Sequence, residues 1–325
     1  MGDFDLAMNL PPIMGTYYHV CPGISTIQGR YGQQIVGSSS NEGNDPRAPL
    51  DSIATAYDRC VSGAGDGIAL WSYGTTTAAC SSYLTSTLTW SKHGITTVGV
   101  SAPTINQRSR VTNKSTSLAV SPLITVSGNN NSFYNMSLVN SGTTGYIALS
   151  VTGARNYFEN CFLAGGRGMT TPTVNDYSIS LTGAEECTFR KCQIGTDTFD
   201  QSDIAGAEVY FGVGNSRIRF YDCEFLSFRS AGTTAGMIKL VATGDSIYRT
   251  VVFDNCFFHM YRDGNVTSEA AVVIGTAPNN GFLIFRNCDR HGFTDWAAVA
   301  MTARVYSASK ADAEASGITI AANPS

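Results

Sequence analysis

The sequence predicts an all-β chain that coils into a single-stranded parallel β-helix. The main observation is a fixed period, because five cysteines follow one another at intervals of 31, 31, 33 and 32 residues. Each has a phenylalanine three positions before it, and the ten residues are Phe158, Cys161, Phe189, Cys192, Phe220, Cys223, Phe253, Cys256, Phe285 and Cys288. Such a period is typical of stacked repeats, in which each unit buries its apolar face only against its neighbours.

Composition is the second observation. The chain is 43% apolar and 14% charged, which indicates a folded protein, and its many Gly, Ser, Thr and Asn residues favour strands and turns over helices. Its net charge of −4 offers no basic surface for a phosphate backbone, so we expect no nucleic-acid partner. No apolar stretch approaches the roughly 20 residues of a membrane span, so we expect no membrane either.

Each repeat of residues 118–290 contains a first strand, a short turn, a Phe-x-x-Cys strand and a longer polar loop. The first strands are predicted at Tyr146–Val151, Tyr177–Leu181, Glu208–Val213, Met237–Val241 and Ala271–Ile274. An earlier copy has Met136 in the cysteine position, which gives about six rungs or more, a rung being one full circuit of the coil. Strands that recur in one order stack in parallel, with like residues above like residues.

The cysteine column is interpreted as part of the inner core. The chain has nine cysteines, an odd number, and no Cys-x-x-Cys pair, so we expect reduced thiols and neither disulfides nor a metal or other cofactor. An Asn or Asp precedes most of these positions and predicts a tight bend there, since both residue types tolerate left-handed backbone angles. These residues are Asn135, Asn160, Asp222, Asn255 and Asn287, and Lys191 interrupts their column.

The period is absent from both ends of the chain. Residues 1–45 are interpreted as an extended N-terminal arm, with a short strand near Thr16–Val20, that either packs along its own body or reaches a partner. Residues 46–117 are interpreted as an N-terminal cap and first strands, with an amphipathic helix over roughly 49–62. Residues 291–325 are interpreted as a C-terminal cap, with a short helix over 309–317 and a strand over 318–321.

Two phrases carry a family resemblance. The first resemblance rests on the rung phrase Phe-x-Asn-Cys-x-Phe and on the segments 65–74 and 88–100. Through them, the chain resembles the pectate-lyase-like superfamily of right-handed parallel β-helix proteins over residues 45–290. The resemblance implies a single-stranded right-handed parallel β-helix. The run 41–58, followed by Gly65–Leu70, resembles the start of β-helix proteins of tailed-phage virions, which include capsid decoration proteins and tail spikes.

The resemblance implies a virion structural protein without catalysis, a head decoration or spike protein attached to the major capsid protein or another virion protein. We expect its copies to form a symmetric oligomer, with a trimer as the favoured form. The first residues lack the pattern of a secretory signal, so we expect synthesis in the host cytoplasm. The alternative is a tail-spike-type protein that binds or cleaves a host surface glycan as a polysaccharide lyase or glycoside hydrolase, and an adhesin is a third class.

The catalytic patterns of the superfamily are present only in fragments. A lyase pattern needs calcium-binding carboxylates on neighbouring rungs, but Asp222 and Asp254 are offset from one column by one position. The densest acidic cluster is the loop with Asp200 and Asp203, followed by Glu208, whose carboxylates suit a glycosidase pair or a divalent ion. Solvated loop charge is the favoured interpretation of that cluster.

Overall fold

The chain folds into a right-handed parallel β-helix. The computed structural model describes residues 10–22, 37–72, 82–100, 109–113, 120–140, 147–165, 176–200, 206–229, 236–262, 269–298 and 304–308. Within these ranges the chain forms 26 strands in three sheets, all paired in parallel, and one α-helix. On each full rung the chain passes through sheet 1, then sheet 2, then sheet 3.

Each sheet collects one strand from successive rungs. Sheet 1 consists of β4 (Leu88–Trp90), β7 (Ile124–Val126), β10 (Leu149–Val151), β13 (Tyr177–Leu181), β16 (Ala207–Phe211), β19 (Ile238–Leu240), β22 (Glu269–Gly275) and β25 (Phe293–Ala297). Sheet 2 consists of β1 (Tyr17–Val20), β2 (Gly67–Leu70), β5 (Thr96–Gly99), β8 (Ser132–Tyr134), β11 (Tyr157–Glu159), β14 (Thr188–Arg190), β17 (Ile218–Tyr221), β20 (Thr250–Asp254), β23 (Phe282–Arg286) and β26 (Val305–Ala308). Sheet 3 consists of β3 (Ser82–Leu84), β6 (Ser109–Asn113), β9 (Met136–Val139), β12 (Phe162–Ala164), β15 (Gln193–Asp200), β18 (Glu224–Arg229), β21 (Phe257–Arg262) and β24 (Asp289–His291).

The stack is longer than the Phe-x-x-Cys phrase alone indicates. Sheet 2 has ten strands among the described residues, which gives roughly 43 Å at the usual strand spacing. Residues 83–90 alternate in sequence as one strand would, but they form parts of two strands, because the chain turns between β3 and β4 and these strands join different sheets. The prediction that a polar loop directly follows each cysteine is wrong, because a strand of sheet 3 comes first.

The phenylalanine column lies in sheet 2 and is stacked ring on ring. Neighbouring rings from Phe133 to Phe285 have centroids 4.7–4.9 Å apart and planes within 10° of parallel. Because every strand pairs in register with the next, identical side chains repeat at the strand spacing and their rings overlap. This column forms one side of a continuous apolar core.

The cysteine column follows the phenylalanine column on the inside of the coil. Each thiol donates to the carbonyl of the phenylalanine one rung back, as Cys192 Sγ does to Phe158 O and Cys223 Sγ to Phe189 O, both at 3.5 Å. The described cysteines are free thiols, and all are buried. Burial raises the pKa of the Cys223 thiol well above its ordinary value, which favours the protonated form of this thiol.

The tight bend predicted before each cysteine is confirmed. Its residues have φ between 50° and 54°, the left-handed region, and they are Asn135, Asn160, Lys191, Asp222, Asn255 and Asn287. The bend turns the chain from sheet 2 into sheet 3, so the phenylalanine and the cysteine of each phrase lie on different sides of the core. Lys191 adopts the same conformation although its side chain does not favour it.

The first described residues lie at one end of the stack. The predicted strand in the arm is confirmed as β1, which pairs with β2. On its other edge, His19 N donates to Gly43 O at 2.7 Å and Leu50 N donates to His19 O at 2.8 Å. These bonds cover an edge that would otherwise attract another strand.

The amphipathic helix, α1, spans Ile53–Arg59 and packs against β1 and β2. It is shorter than predicted because it ends at Cys60, whose extended backbone directs the chain towards β2. Val61, predicted on the apolar face, is therefore outside the helix and 61% exposed. The role of α1 as a cap stays a prediction, and so does the division of the chain into four segments. The helix predicted over 309–317 and the strand predicted over 318–321 lie outside the described residues.

Candidate functional site

Glu208, one of three candidate catalytic acids, is built into the interior. It lies on β16, is 1% exposed, and its Oε2 accepts a 2.6 Å hydrogen bond from Ser178 Oγ. Ser178 Oγ in turn accepts from the backbone N–H of Gly165 at 3.0 Å. Gly195 makes room for this carboxylate, since a Cβ there would lie 2.5 Å from Glu208 Cδ. These contacts tie sheet 1 to the end of sheet 3.

The side chains of the two other candidate acids lie outside the described part of the structure. Asp200 is the last residue of β15, but its side chain lies outside the described part of the structure. Asp203 lies outside the described residues altogether. The described geometry of Glu208 therefore supports a structural role, since a glycosidase carboxylate must face its substrate.

A second group of titratable side chains lies on sheet 1. The rings of Tyr177 and Tyr210 stack with centroids 4.6 Å apart, and Lys239 Nζ is 5.9 Å from the Tyr177 ring centroid. Burial raises the pKa of both phenols and lowers the pKa of Lys239. An amine of lowered pKa beside a phenol is an arrangement that can transfer protons.

An open groove of about 790 Å³ runs along the corner where sheet 1 passes into sheet 2. Four consecutive rungs contribute to it, through the connections that follow β13, β16, β19 and β22. At the usual strand spacing these rungs cover about 14 Å of the corner. The acids that the sequence singles out lie at the cysteine phrase, in a long loop and on β16, and none of them lines this groove.

The floor of the groove consists of two glycines on neighbouring rungs. Gly183 and Gly214 have φ of 67° and 88°, a region that L side chains rarely adopt. A Cβ on Gly183 would meet no atom within 4 Å, so the space above it is open. The aromatic ring of Tyr248 lies beside Gly214 and is 48% exposed, which gives the groove an apolar wall.

Charged side chains, those of Glu185, Arg217 and Arg249, also line the groove. Arg217 Nε donates to Glu186 Oε1 at 2.9 Å, and a second bond joins its guanidinium to Glu185. Arg155 donates to the other oxygen of Glu186 at 2.7 Å, so the four side chains form a chain of alternating charge across three rungs. The side chain of Arg249 makes no hydrogen bond or ion pair with another described residue, and its guanidinium can meet an anion.

Arg155, Glu186 and Arg217 also share a left-handed backbone, with φ between 55° and 57°. Asn130 has the same conformation one rung before Arg155. These residues form a second column of bends at the corner between sheets 1 and 2. The groove begins on the last two rungs of this column, those of Glu186 and Arg217, and continues over two rungs on which no described groove residue has a left-handed backbone.

The outer face of sheet 3 has an aromatic patch. Phe257 and Tyr261 are exposed on β21, and His259 lies between them, with its ring centroid 4.6 Å from that of His291. Burial lowers the pKa of His259 most, and the neighbouring His291 lowers it further, whereas Asp197 opposes this shift.

Over the described ranges, no group of three or more His, Cys, Asp or Glu side chains is placed to hold a metal. No helix in these ranges is long and apolar enough to cross a membrane.

Comparisons with known proteins show the fold. No family model matches the sequence, and no curated protein matches it. Among solved structures, a pectate lyase is similar at a TM-score of 0.54 with 15% identity, over 84% of this chain and 63% of that one. A rhamnogalacturonan lyase is similar at a TM-score of 0.52 with 14% identity, over 85% of this chain and 68% of that one.

A protein of Geobacillus virus E2 is similar more loosely, at a TM-score of 0.41 with 11% identity, over 79% of this chain and 57% of that one. Because only 63% of the pectate lyase is covered, this chain spans less than two thirds of the length of that protein. Likeness at such identities shows the right-handed parallel β-helix and does not transfer an activity.

Proposed function

We propose that this chain is a structural protein of a phage virion, a head decoration or spike protein attached to the capsid and acting without catalysis. The observation that carries the non-catalytic part of the proposal is Glu208, the candidate acid whose surroundings are described, because its carboxylate is bound by Ser178 inside the fold. The resemblance of residues 41–58 and 65–70 to the start of phage β-helix proteins supports the same function. In this proposal the partner is the major capsid protein or another virion protein, and the copies form a trimer.

The described end of the stack near β1 is the proposed point of attachment. Met14 is 96% exposed and Val61 is 61% exposed, and a Cβ on Gly65 would lie 3.3 Å from Met14 Cβ, so this end exposes apolar side chains. Exposed apolar groups of this kind serve protein contacts when they are covered by a partner.

Cryo-electron microscopy of purified particles tests both statements. We expect density for the rod on the capsid shell, and we expect Val61→Asp combined with Met14→Asp to lower its occupancy strongly, because charges would be buried in the contact. Val213→Asp, which changes another exposed valine at a different place, is the matched control. Absence of the wild-type protein from particles would overturn the proposed function, and full occupancy of the double variant would overturn this point of attachment.

A spike that binds a surface polysaccharide is the second candidate, and the groove at the corner of sheets 1 and 2 favours it. The groove combines an exposed aromatic ring, a cation free of described partners and a floor without side chains. Its volume lies in the range of small-molecule sites, and a ring with polar groups around it suits a sugar.

Tyr248→Ala is expected to weaken binding of the recognised oligosaccharide at least about tenfold, as the loss of a buried aromatic contact does in other interfaces. Titration calorimetry against a panel of neutral and acidic oligosaccharides measures the effect. Tyr261→Ala, which removes a comparably exposed ring from the outer face of sheet 3, is the control. Equal affinities for the two variants, or no binding by the wild type, would reject the groove as a glycan site.

A further inference from the structure

The strand of the N-terminal arm carries a histidine whose ring already serves as a hydrogen-bond acceptor. His19 lies on β1 and is 7% exposed. Its Nδ1 accepts a 3.2 Å hydrogen bond from Nε1 of Trp71, which directly follows β2. An indole N–H is a donor only, so Nδ1 must be free of a proton for this bond to form. His19 is therefore held as a neutral imidazole with its proton on Nε2.

The surroundings of His19 also disfavour a positive charge on the ring. Burial lowers the pKa of His19 below its ordinary value of 6.5, and the carboxylate of Asp45 opposes this shift. The described elements around His19 are β2 with Trp71, which brings no charge, and the segment 43–50, which brings Asp45. Arg47 already bonds Asp45 Oδ1 through its backbone N–H at 2.8 Å and through Nε at 3.2 Å. The opposing carboxylate is therefore partly neutralised.

The backbone of β1 joins two parts of this end of the stack. On one edge, His19 N donates to Gly43 O at 2.7 Å and His19 O accepts from Leu50 N at 2.8 Å. On the other edge β1 pairs with β2, and Trp71 N donates to Val20 O at 2.8 Å. β1 is also the first strand of sheet 2, and elements at the end of a stack open at a lower cost in free energy than central ones. Displacement of β1 therefore breaks bonds on both of its edges without breaking the stack.

We propose that β1 is an acid-sensitive strap, which closes this end of the stack at neutral pH and is released when His19 gains a proton on Nδ1. A proton there sets an N–H against the indole N–H of Trp71 in a place shielded from water, which costs free energy. The released form has no such cost and binds the proton more readily. The closed form therefore has its full relative stability above about pH 6.5 and loses it as the pH falls from there towards the lowered pKa of His19.

Release of β1 changes the surface at which the chain is proposed to attach. Met14 lies three positions before the first residue of β1 and is carried by the same segment. Val61 lies after the helix, where its backbone N–H donates to Asp66 Oδ2 at 2.7 Å. The strap thus separates the two exposed apolar side chains of that surface when the pH falls. This consequence rests on the proposed virion function, whereas the switch itself does not.

Hydrogen exchange of the full-length chain at about pH 7.5 and about pH 5, on either side of the usual histidine range, tests the switch. The readout is the protection factor, which removes the direct effect of pH on the exchange chemistry. We expect the protection of the His19, Leu50 and Trp71 amides to fall at least about fivefold at the lower pH, since one proton contributes up to about tenfold per pH unit. The amides of β14 and β17 should keep their protection. Equal losses in β1 and β17 would mean general acid unfolding and would overturn the proposal, as would unchanged protection of β1.

Two variants separate His19 from the other histidines. His19→Asn keeps an acceptor oxygen near the place of Nδ1 but does not titrate, so its β1 should stay protected at both pH values. His93→Asn is the matched control, because His93 Nδ1 also accepts a hydrogen bond, from Asn129 N at 2.9 Å, but its ring is exposed. This control should lose protection as the wild type does. The same loss in His19→Asn as in the wild type would overturn the assignment to His19.

Nuclear magnetic resonance of the wild type gives a second measurement that needs no variant. The indole N–H of Trp71 should lose protection over the pH range in which the imidazole of His19 titrates, because one proton controls both. Titration of His19 without any change at the Trp71 indole would overturn the switch.

Particles held briefly at about pH 5 test the consequence for attachment. We expect the wild-type chain to be released and His19→Asn to stay attached. Equal behaviour of the two would overturn the control of attachment by pH. Absence of the chain from particles at neutral pH would instead overturn the proposed function, and the exchange measurements would still decide the switch.

Discussion

Replacing Phe220 with alanine is expected to lower the free energy of unfolding by about 4 kcal/mol, as the removal of a buried phenylalanine commonly does. The ring stacks between Phe189 at 4.8 Å and Phe253 at 4.7 Å and meets the edge of Phe225 at 5.6 Å. Its loss leaves a cavity bounded by three other rings, and the in-register backbone prevents the neighbours from closing it. Urea denaturation measures the change.

The damage should be local as well as large, because each rung contacts only its neighbours. Hydrogen exchange is expected to show lost protection in β14, β17 and β20 before the ends of the stack are affected. Phe257→Ala is the control, since its ring is 37% exposed on the outer face of sheet 3, and it should cost about 1 kcal/mol or less. A similar cost for both variants would mean that the stacked column does not dominate stability.

Replacing Asn215 with alanine is expected to cost about 3 kcal/mol, because several buried polar groups lose their partners at once. The fully buried side chain donates through Nδ2 to three carbonyls, those of Leu181, Gly212 and Ser246, at 2.8–3.1 Å. Its Oδ1 accepts from Ala184 N at 3.2 Å. Asn215 therefore holds three rungs together directly beneath the groove.

Thermal and urea unfolding measure this loss, and glycan titration of the folded variant reports on the groove. Asn280→Ala is the control for stability, since Asn280 is exposed and its Nδ2 bonds only the surface carboxylate of Asp245 among the described residues. It should change the free energy of unfolding by about 0.5 kcal/mol or less. An equally small effect of Asn215→Ala would show that backbone pairing alone maintains the corner.

The parallel stack could be predicted from the sequence because its core repeats one pattern on consecutive rungs. Phe189, Cys192, Phe220 and Cys223 recur at 31 residues, and only in-register stacking places such a column on one side of a core. The bends could be predicted for a related reason, since Asn and Asp favour the left-handed angles that the turn into sheet 3 requires. The rungs before residue 118 lack the phrase, so their number could not be predicted.

The second column of bends could not be predicted, because its residues do not favour the conformation they adopt. Arg155, Glu186 and Arg217 have left-handed angles, and hydrogen-bonded ion pairs join their side chains. The groove above them depends on Gly183 and Gly214, which are 31 residues apart, and that spacing was the available signal for it. Tyr248 and Arg249 lie on the next rung and follow no repeated motif, so only the folded chain brings them to the glycines.

The register of the sheets has a consequence for the length of the molecule. Because every strand pairs with its equivalent on the next rung, the stack is extended in whole circuits, each adding one strand spacing of roughly 4.8 Å and, in the rungs of the Phe-x-x-Cys phrase, 31–33 residues. Its length is therefore quantised. Duplication or deletion of one circuit would therefore change the length of the stack by a fixed step and leave its cross-section the same.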